Sequence, residues 1–284
     1  MSKYTGPLLT ARVHQALLAA RAAGAAVAEC SLDLGRSGTT VGLSVSGWSW
    51  SGQQYPYPEV CKERTIYWWT GESFQAVSRF GGSGLIKLVP TDWGPPTFEI
   101  DGIKMLPTAQ VSPWADAERK VGLIQPRGKR VLDCCGGLGY FAACCLAGGA
   151  QRVISFEKNP DVIWLRGLNA WSPEHGEPED PGQVLTLSNA DVSKEIAAIP
   201  SQSVDAILHD PPRFGIAGEL YSQVFYDQLA RVIRPQGRLF HYTGTPNKLT
   251  SGRNVPQEVA TRLQRAGFAT ELNGDGVVGI RQAR

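Results

Sequence analysis

No stretch of this 284-residue chain approaches the ~20 consecutive apolar residues that a membrane-spanning helix needs. An excess of charge of either sign is also missing: 28 Lys and Arg stand against 26 Asp and Glu, for a formal net charge of +2. So mild a balance neither demonstrates nor excludes a nucleic-acid partner, because charge can cluster on one face. Cysteine is sparse and badly spaced for a disulfide framework or a zinc site. There are six, four of them in the adjacent pairs Cys134/Cys135 and Cys144/Cys145, and none lies beyond Cys145. No metal is therefore expected, and the paired thiols read as small buried hydrophobes of a reducing compartment. A clean signal-peptide core is missing too, because Arg12, His14 and Arg21 interrupt the Ala- and Leu-rich start. That segment reads as a helix, and the protein is expected in the cytoplasm with no membrane partner.

What is present suits a globular protein: 42% hydrophobic and 19% charged residues, in a chain long enough for one large domain or two modest ones. The rest is organised around Arg130-Val131-Leu132-Asp133-Cys134-Cys135-Gly136-Gly137-Leu138-Gly139-Tyr140-Phe141. Val131 and Leu132 read as a short buried strand. Gly136, Gly137 and Gly139 let the backbone turn sharply and come close to a ligand. An apolar helix follows and ends at Gly148-Gly149. Strand, glycine turn and helix in this order form a nucleotide cradle at the C-terminal edge of a parallel sheet. Eighteen residues past Gly139, the β-like run Val153–Phe156 ends in Glu157, about where dinucleotide-type folds place an acid on ribose hydroxyls. The runs 184–191 and 204–210 also end in acids, Asp191 and Asp210.

Residues 1–112 read as one domain, a helix over 10–28 followed by a small β-rich domain that could recognise the substrate. Short strands are expected at 31–34, 41–45, 47–51, 66–69, 73–77, 84–89 and 98–100. A link is expected over 52–58 and a helix start over 60–64. Four Trp and three Tyr fall between Trp48 and Trp69. They read either as a stacking surface for bases or as a β-core filled with large residues. Residues 113–284 read as a second, α/β domain, in which strands and helices alternate. Helices are expected at 112–124, 159–170, 192–198, 218–233 and 255–266, an exposed loop at 172–182 and a fifth strand at 239–242. The runs 268–272 and 277–281 flank the hairpin signal Asn273-Gly274-Asp275-Gly276.

This second part resembles the class I S-adenosylmethionine-dependent methyltransferases over roughly residues 115–284. The resemblance implies a Rossmann-like α/β sheet, mostly parallel with an antiparallel last strand, and S-adenosyl-L-methionine as cofactor. It implies that the turn running from Asp133 through Cys135 and Gly137 to Gly139 holds the methionine part. Glu157, with Lys158 beside it, would bind the ribose hydroxyls, and Asn189-Ala190-Asp191 would meet the adenine amine. Asp210-Pro211-Pro212 matches the active-site motif. One departure is Cys135, where the usual loop has Gly; cysteine prefers ordinary backbone angles. A closer likeness, over nearly the whole chain, is to a family described as a predicted archaeal methyltransferase. It rests on the 133–140 turn, Ser31-Leu32-Asp33-Leu34-Gly35, Asn169-Ala170-Trp171-Ser172, His209-Asp210-Pro211-Pro212-Arg213-Phe214, Ala217-Gly218-Glu219-Leu220-Tyr221 and the run Gly237–Gly244.

The chemistry follows from the motif. Methyl transfer from a sulfonium needs a nucleophile held in line, and positioning supplies most of the rate. An exocyclic amine on a base has its lone pair drawn into the ring. Asp210 and the Pro211 carbonyl can accept the amine hydrogens and return electron density to nitrogen, while the two prolines stiffen the loop and offer no N–H to compete. Phe214 could stack on a planar substrate, and Arg213, where relatives carry the aromatic, could hold a phosphate or carboxylate. Strand alternation turns His209 away from Asp210. For His241, at the end of the fifth strand, both a substrate contact and a structural role stand open. Tyr221 and Glu219 could line the pocket on the family likeness. Similar RNA methyltransferases that modify carbon 5 of a pyrimidine need a Cys after the motif, and this chain has none there. The expectation is therefore direct N-methylation of an RNA base, cytosine N4 of ribosomal RNA foremost. The alternative is a small-molecule amine, methylated or given an aminopropyl group as in the similar spermidine synthases.

Overall fold

A computed structural model describes residues 3–177, 182–244 and 254–283. The chain divides into two compact units, Met1–Asp116 with Asp161–Ser172, and Ala117–Pro160 with Pro173–Arg284. Among the described residues no helix is long and apolar enough to cross a membrane.

In the first unit β1 (Leu8–Leu9) leads into α1 (Ala11–Ala22). Then come β2 (Val27–Cys30), β3 (Thr39–Leu43), β4 (Gly47–Trp50), β5 (Gln53–Pro56), β6 (Tyr67–Trp69), β7 (Phe74–Ala76), β8 (Ser78–Gly81), β9 (Gly84–Val89), β10 (Thr97–Ile100) and β11 (Ile103–Lys104). They form three antiparallel sheets, β2-β3-β4-β5, β1-β6-β7 and β11-β10-β9-β8. Aromatic residues fill the space between small elements. Trp48 is fully buried and stacks on Tyr55 at 4.5 Å between ring centroids, and Tyr55 meets Trp69 edge-on at 5.4 Å. Leu9, Leu17 and Val41 close the same cluster. Trp48 and Tyr55 are thus core, not an open surface for bases.

Several boundaries differ from the sequence reading, each for a local reason. The first helix stops at Ala22 instead of 28, because Gly24 turns left-handed at φ 75°. The strand expected at 31–34 is a turn; the Asp33 carboxylate gathers the amides of Arg36 and Ser37 and the hydroxyls of Ser31 and Ser37. The link at 52–58 contains strand β5, joined to β4 through Ser51 and Gly52, both at positive φ, as a tight hairpin requires. No helix starts at 60–64, where Arg64 holds φ 57°. Two of the sequence motifs prove to be one structural lock. The Trp171 Nε1–H donates to the Leu34 carbonyl at 3.1 Å, and Arg36 donates to the Ala170 carbonyl at 2.6 Å.

The second unit takes helix α2 (Pro113–Ile124) from Ala117 onward. Its chain continues through β12 (Arg130–Asp133), α3 (Tyr140–Ala147), β13 (Arg152–Phe156), α4 (Pro160–Leu168), β14 (Leu185–Ser188), α5 (Val192–Glu195), β15 (Val204–His209), α6 (Gln223–Val232), β16 (Ile233–Tyr242), α7 (Val255–Arg265), β17 (Phe268–Asn273) and β18 (Gly276–Arg281). From Asp161 to its end α4 belongs to the first unit. The seven strands form one sheet in the order β14-β13-β12-β15-β16-β18-β17. Five are parallel, and β18 runs antiparallel between β16 and β17. The helix expected at 218–233 is broken: a 3₁₀ turn covers Gly218–Tyr221, and Ser222 caps α6 by accepting from Phe225 N–H at 3.1 Å. Strand β16 starts at Ile233 instead of 239, and its pairing with β15 shifts register, with Gln236 at φ 64°. Residues 178–181 of the expected loop at 172–182 lie outside the described residues.

Trp48→Ala is expected to lower stability by about 3–5 kcal/mol. Urea unfolding followed by far-ultraviolet circular dichroism measures this. A loss under about 1 kcal/mol would show that the aromatic stack is not core.

Candidate active site

The order of the sheet reverses at β12, which pairs with β13 on one side and β15 on the other. In an open parallel sheet the crevice beyond the strand ends at such a reversal is where ligands bind. The glycine turn, Glu157 and Asp210 all follow those strand ends.

The turn is built from backbone hydrogen bonds. Gly136 N–H donates to the Phe156 carbonyl at 2.7 Å, and Gly139 N–H to the Gly136 carbonyl at 2.8 Å. Gly137 and Gly139 are left-handed, at φ 48° and 84°, whereas Cys135 keeps an ordinary negative φ. The cysteine thus sits where its backbone preference allows, and the glycines carry the turn. A side-chain carbon at Gly137 would meet nothing within 4 Å, so that side of the turn has open space. Asp133 is buried, and its Oδ2 accepts the Ser155 hydroxyl at 2.8 Å across β12 and β13.

Glu157 straps the turn to the next strand. Its Oε2 accepts Gly137 N–H at 2.9 Å and its Oε1 accepts Asn159 N–H at 2.8 Å. Asn189 is exposed, and its side-chain amide donates to the carbonyls of Glu157 and Lys158 at 2.9 and 3.2 Å. Ala190 packs against the main core. Asp191 caps α5 and pairs with Lys158 Nζ at 2.8 Å. Burial raises the Asp191 carboxyl, but the hydrogen bonds from Lys158 and Ser193 outweigh it and leave its pKa lowered.

Asp210 has a partner that sequence reasoning missed. Lys120 Nζ lies 3.1 Å from Asp210 Oδ2, with side-chain exposures of 3% and 17%. The ammonium also lies 4.0 Å from the Tyr242 ring centroid and 5.4 Å from that of Phe141. A signal was there: Ala117, Lys120, Val121 and Ile124 follow the i, i+3, i+4, i+7 stripe of an amphipathic helix. A lysine on an apolar stripe needs a buried partner. Pro211 is buried, and the Pro212 carbonyl accepts the Tyr221 hydroxyl at 3.1 Å. Arg213 and Phe214 are exposed, and the Phe214 ring meets Tyr221 edge-on at 5.4 Å. Glu219 lies 3.8 Å from Lys158.

The two histidines are structural. His209 is fully buried, and its Nε2 bonds to the Leu220 carbonyl at 3.0 Å. His241, beside it in register, has Nδ1 at 2.7 Å from the Tyr242 carbonyl and Nε2 at 2.9 Å from the Tyr226 hydroxyl. Both rings are neutral: burial lowers both pKa values, that of His209 to about 4. The thiols of Cys134 and Cys135 are pushed well up by burial first and neighbouring acids second. Burial likewise pushes up Cys145. None of these three is poised as a thiolate nucleophile. Among the described residues no group of three His, Cys, Asp or Glu side chains is placed to hold a metal.

No family model matches the chain. Over 212 residues it is 40% identical to Uncharacterized protein MJ1233 of Methanocaldococcus jannaschii, covering 74% of this chain and 70% of that one. The chain belongs to the MJ1233 family. Over 122 residues it is also 34% identical to Polyamine aminopropyltransferase 2 of Streptomyces coelicolor, covering 40% of this chain and 21% of that protein. Among solved structures it is similar to a spermidine synthase in complex with the transition-state analogue AdoDATO. The TM-score is 0.54 at 16% identity, over 75% of this chain and 78% of that one. The sheet of this chain is thus a mostly parallel, Rossmann-like one, the fold of that spermidine synthase.

An unfolded histidine titrates near 6.5, whereas folded His209 refuses the proton until about pH 4. Its contribution to stability is complete above pH 6.5 and is lost as the pH falls towards 4, about 3 kcal/mol in all. His209→Gln is therefore expected to flatten the dependence of the urea midpoint on pH across that window. An unchanged slope would mean that His209 is not buried and neutral.

Proposed function

We propose that the protein is an S-adenosylmethionine-dependent N-methyltransferase whose acceptor is an exocyclic amine of an RNA base. Cytosine N4 of ribosomal RNA is the foremost candidate. The observation that carries the reading is the placing of three groups after neighbouring parallel strands. They are the open glycine turn after β12, the Glu157 carboxylate after β13 and the ion-paired Asp210 after β15.

The turn and Glu157 suit an adenosyl cofactor. The open space beside Gly137 would take its amino-acid part, and the Glu157 carboxylate, now accepting two amide hydrogens, would take the ribose diol. Asn189, Ala190 and Asp191 would border the adenine, with Lys158 holding Asp191 in place. When bound, the cofactor supplies a methyl group made electrophilic by its sulfonium. Asp210 would orient the acceptor by accepting a hydrogen bond from its amine, which returns electron density to nitrogen; as the N–C bond forms the sulfonium S–C bond breaks, and the proton then leaves the methylated nitrogen. Pro211 and Pro212 keep that carboxylate and the neighbouring carbonyls on a stiff loop. The Tyr221 hydroxyl anchors the loop through the Pro212 carbonyl. Phe214 offers an exposed ring to a planar acceptor, and Arg213 a cation to its phosphate.

A second reading rests on the likeness to Polyamine aminopropyltransferase 2 and to spermidine synthase. Here the same cleft would methylate a small amine or move an aminopropyl group onto it.

Incubation with methyl-labelled S-adenosylmethionine separates these readings. Total RNA from a strain lacking the gene is offered beside a small-molecule extract. Label in one ribosomal RNA nucleoside is the expected result, and label confined to the small-molecule fraction rules out the RNA acceptor. Asp210→Ala should cut turnover at least a hundredfold, about 2.7 kcal/mol or more, with cofactor affinity nearly unchanged. Glu157→Ala should instead weaken the cofactor. Full turnover in Asp210→Ala would end the mechanism.

A further inference from the structure

The acids that follow the sheet strands are already engaged. Asp133 takes the Ser155 hydroxyl, Glu157 two backbone amides, and Asp191 both Lys158 and Ser193. Glu219 stands 3.8 Å from the same Lys158. Asp210, the group proposed to bind the acceptor, is matched by a lysine that is itself almost wholly buried. Two aromatic rings border the Lys120 ammonium, and the helix that carries it buries Ala117, Val121 and Ile124 beside it. Swinging out to water would break this buried ion pair with Asp210, which costs more than a surface ion pair returns. The charge of Asp210 is therefore compensated by a fixed group and not by whatever ligand arrives. The Tyr221 hydroxyl and the Cys135 thiol, which also feel the Asp210 charge, stay neutral.

An alkylammonium acceptor needs an anionic anchor, because it enters as a cation and leaves water at high cost. Held against Asp210, it would lie within roughly 6 Å of the Lys120 ammonium, and like charges that close repel strongly in a protein interior. An amine that is neutral at neutral pH, such as one conjugated to an aromatic ring, meets no such repulsion. It can still donate a hydrogen to the carboxylate. We infer that Lys120 is a specificity-determining residue, which by fixing the charge of Asp210 restricts the acceptor to amines uncharged at the reacting nitrogen and turns away polyamines. The inference rests on the reading of Asp210 as the acceptor-binding group, and it narrows that reading's substrate class.

The test uses the full chain and calorimetric titration. S-adenosylhomocysteine is titrated first, then spermidine into the chain saturated with it. Wild-type protein and Lys120→Arg should bind spermidine weakly and alike. Lys120→Met keeps much of the apolar stem and removes the charge, and it should bind spermidine roughly tenfold to a hundredfold more tightly. Its affinity for S-adenosylhomocysteine should stay within about twofold, roughly 0.4 kcal/mol. Equal spermidine affinity in wild type and a folded Lys120→Met overturns the inference. So does tight binding by wild type that Asp210→Asn abolishes, an outcome that needs no lysine variant to fold. Failure of S-adenosylhomocysteine to bind wild type is a different result, since it removes the proposed activity itself.

Discussion

The pairing of β12 on both sides is the constraint from which the site follows. A four-residue strand held between two parallel neighbours has its backbone groups satisfied along its length, and it ends at Asp133, one residue short of the ends of β13 and β15. The chain must then climb off the sheet at once, and the left-handed glycines at 137 and 139 let it do so. Glu157 ties that climb to the adjacent strand. The parallel register thereby brings the glycine turn, an acid and the Asp-Pro-Pro loop to one edge, although they come from residues 133 to 214.

A second constraint is the cost of charge out of water. The unit buries a lysine, an aspartate and two histidines near this edge, and each is handled differently. Lys120 and Asp210 are matched with each other. Asp133 is fed by a hydroxyl. The histidines give up their charge altogether and become hydrogen-bonding wedges between β15, β16 and the helices on them. This edge of the sheet thus combines buried, matched charges with the exposed side chains of Asn189, Arg213 and Phe214, and charges kept from water act more strongly on one another.

The sequence carried the α/β half well because its signals are local. A β-branched run, a glycine turn and a terminal acid recur, and each is a few residues long. It read the first unit less well, because short strands there are set by turns whose logic is side-chain capping and positive φ, as at Asp33, Ser51-Gly52 and Arg64. The break before α6 was hidden for a similar reason: Ser222 caps the helix inside a run whose composition is helical throughout. Lys120 was overlooked because it lies ninety residues from Asp210, although its place on an apolar stripe marked it. The motifs at 31–35 and 169–172 carried only a family likeness in the sequence, with no role assigned to either. Together they are a tryptophan and an arginine closing two loops over one another.

The cysteines around the glycine turn bear on how the protein meets oxidants. Cys134, Cys135, Cys144 and Cys145 all have their thiols pushed up, by burial before anything else. Peroxides and alkylating reagents attack the thiolate, and a protonated, enclosed thiol offers almost none. The burial that shapes the turn and the helix after it thus also keeps these four thiols in their unreactive, protonated form.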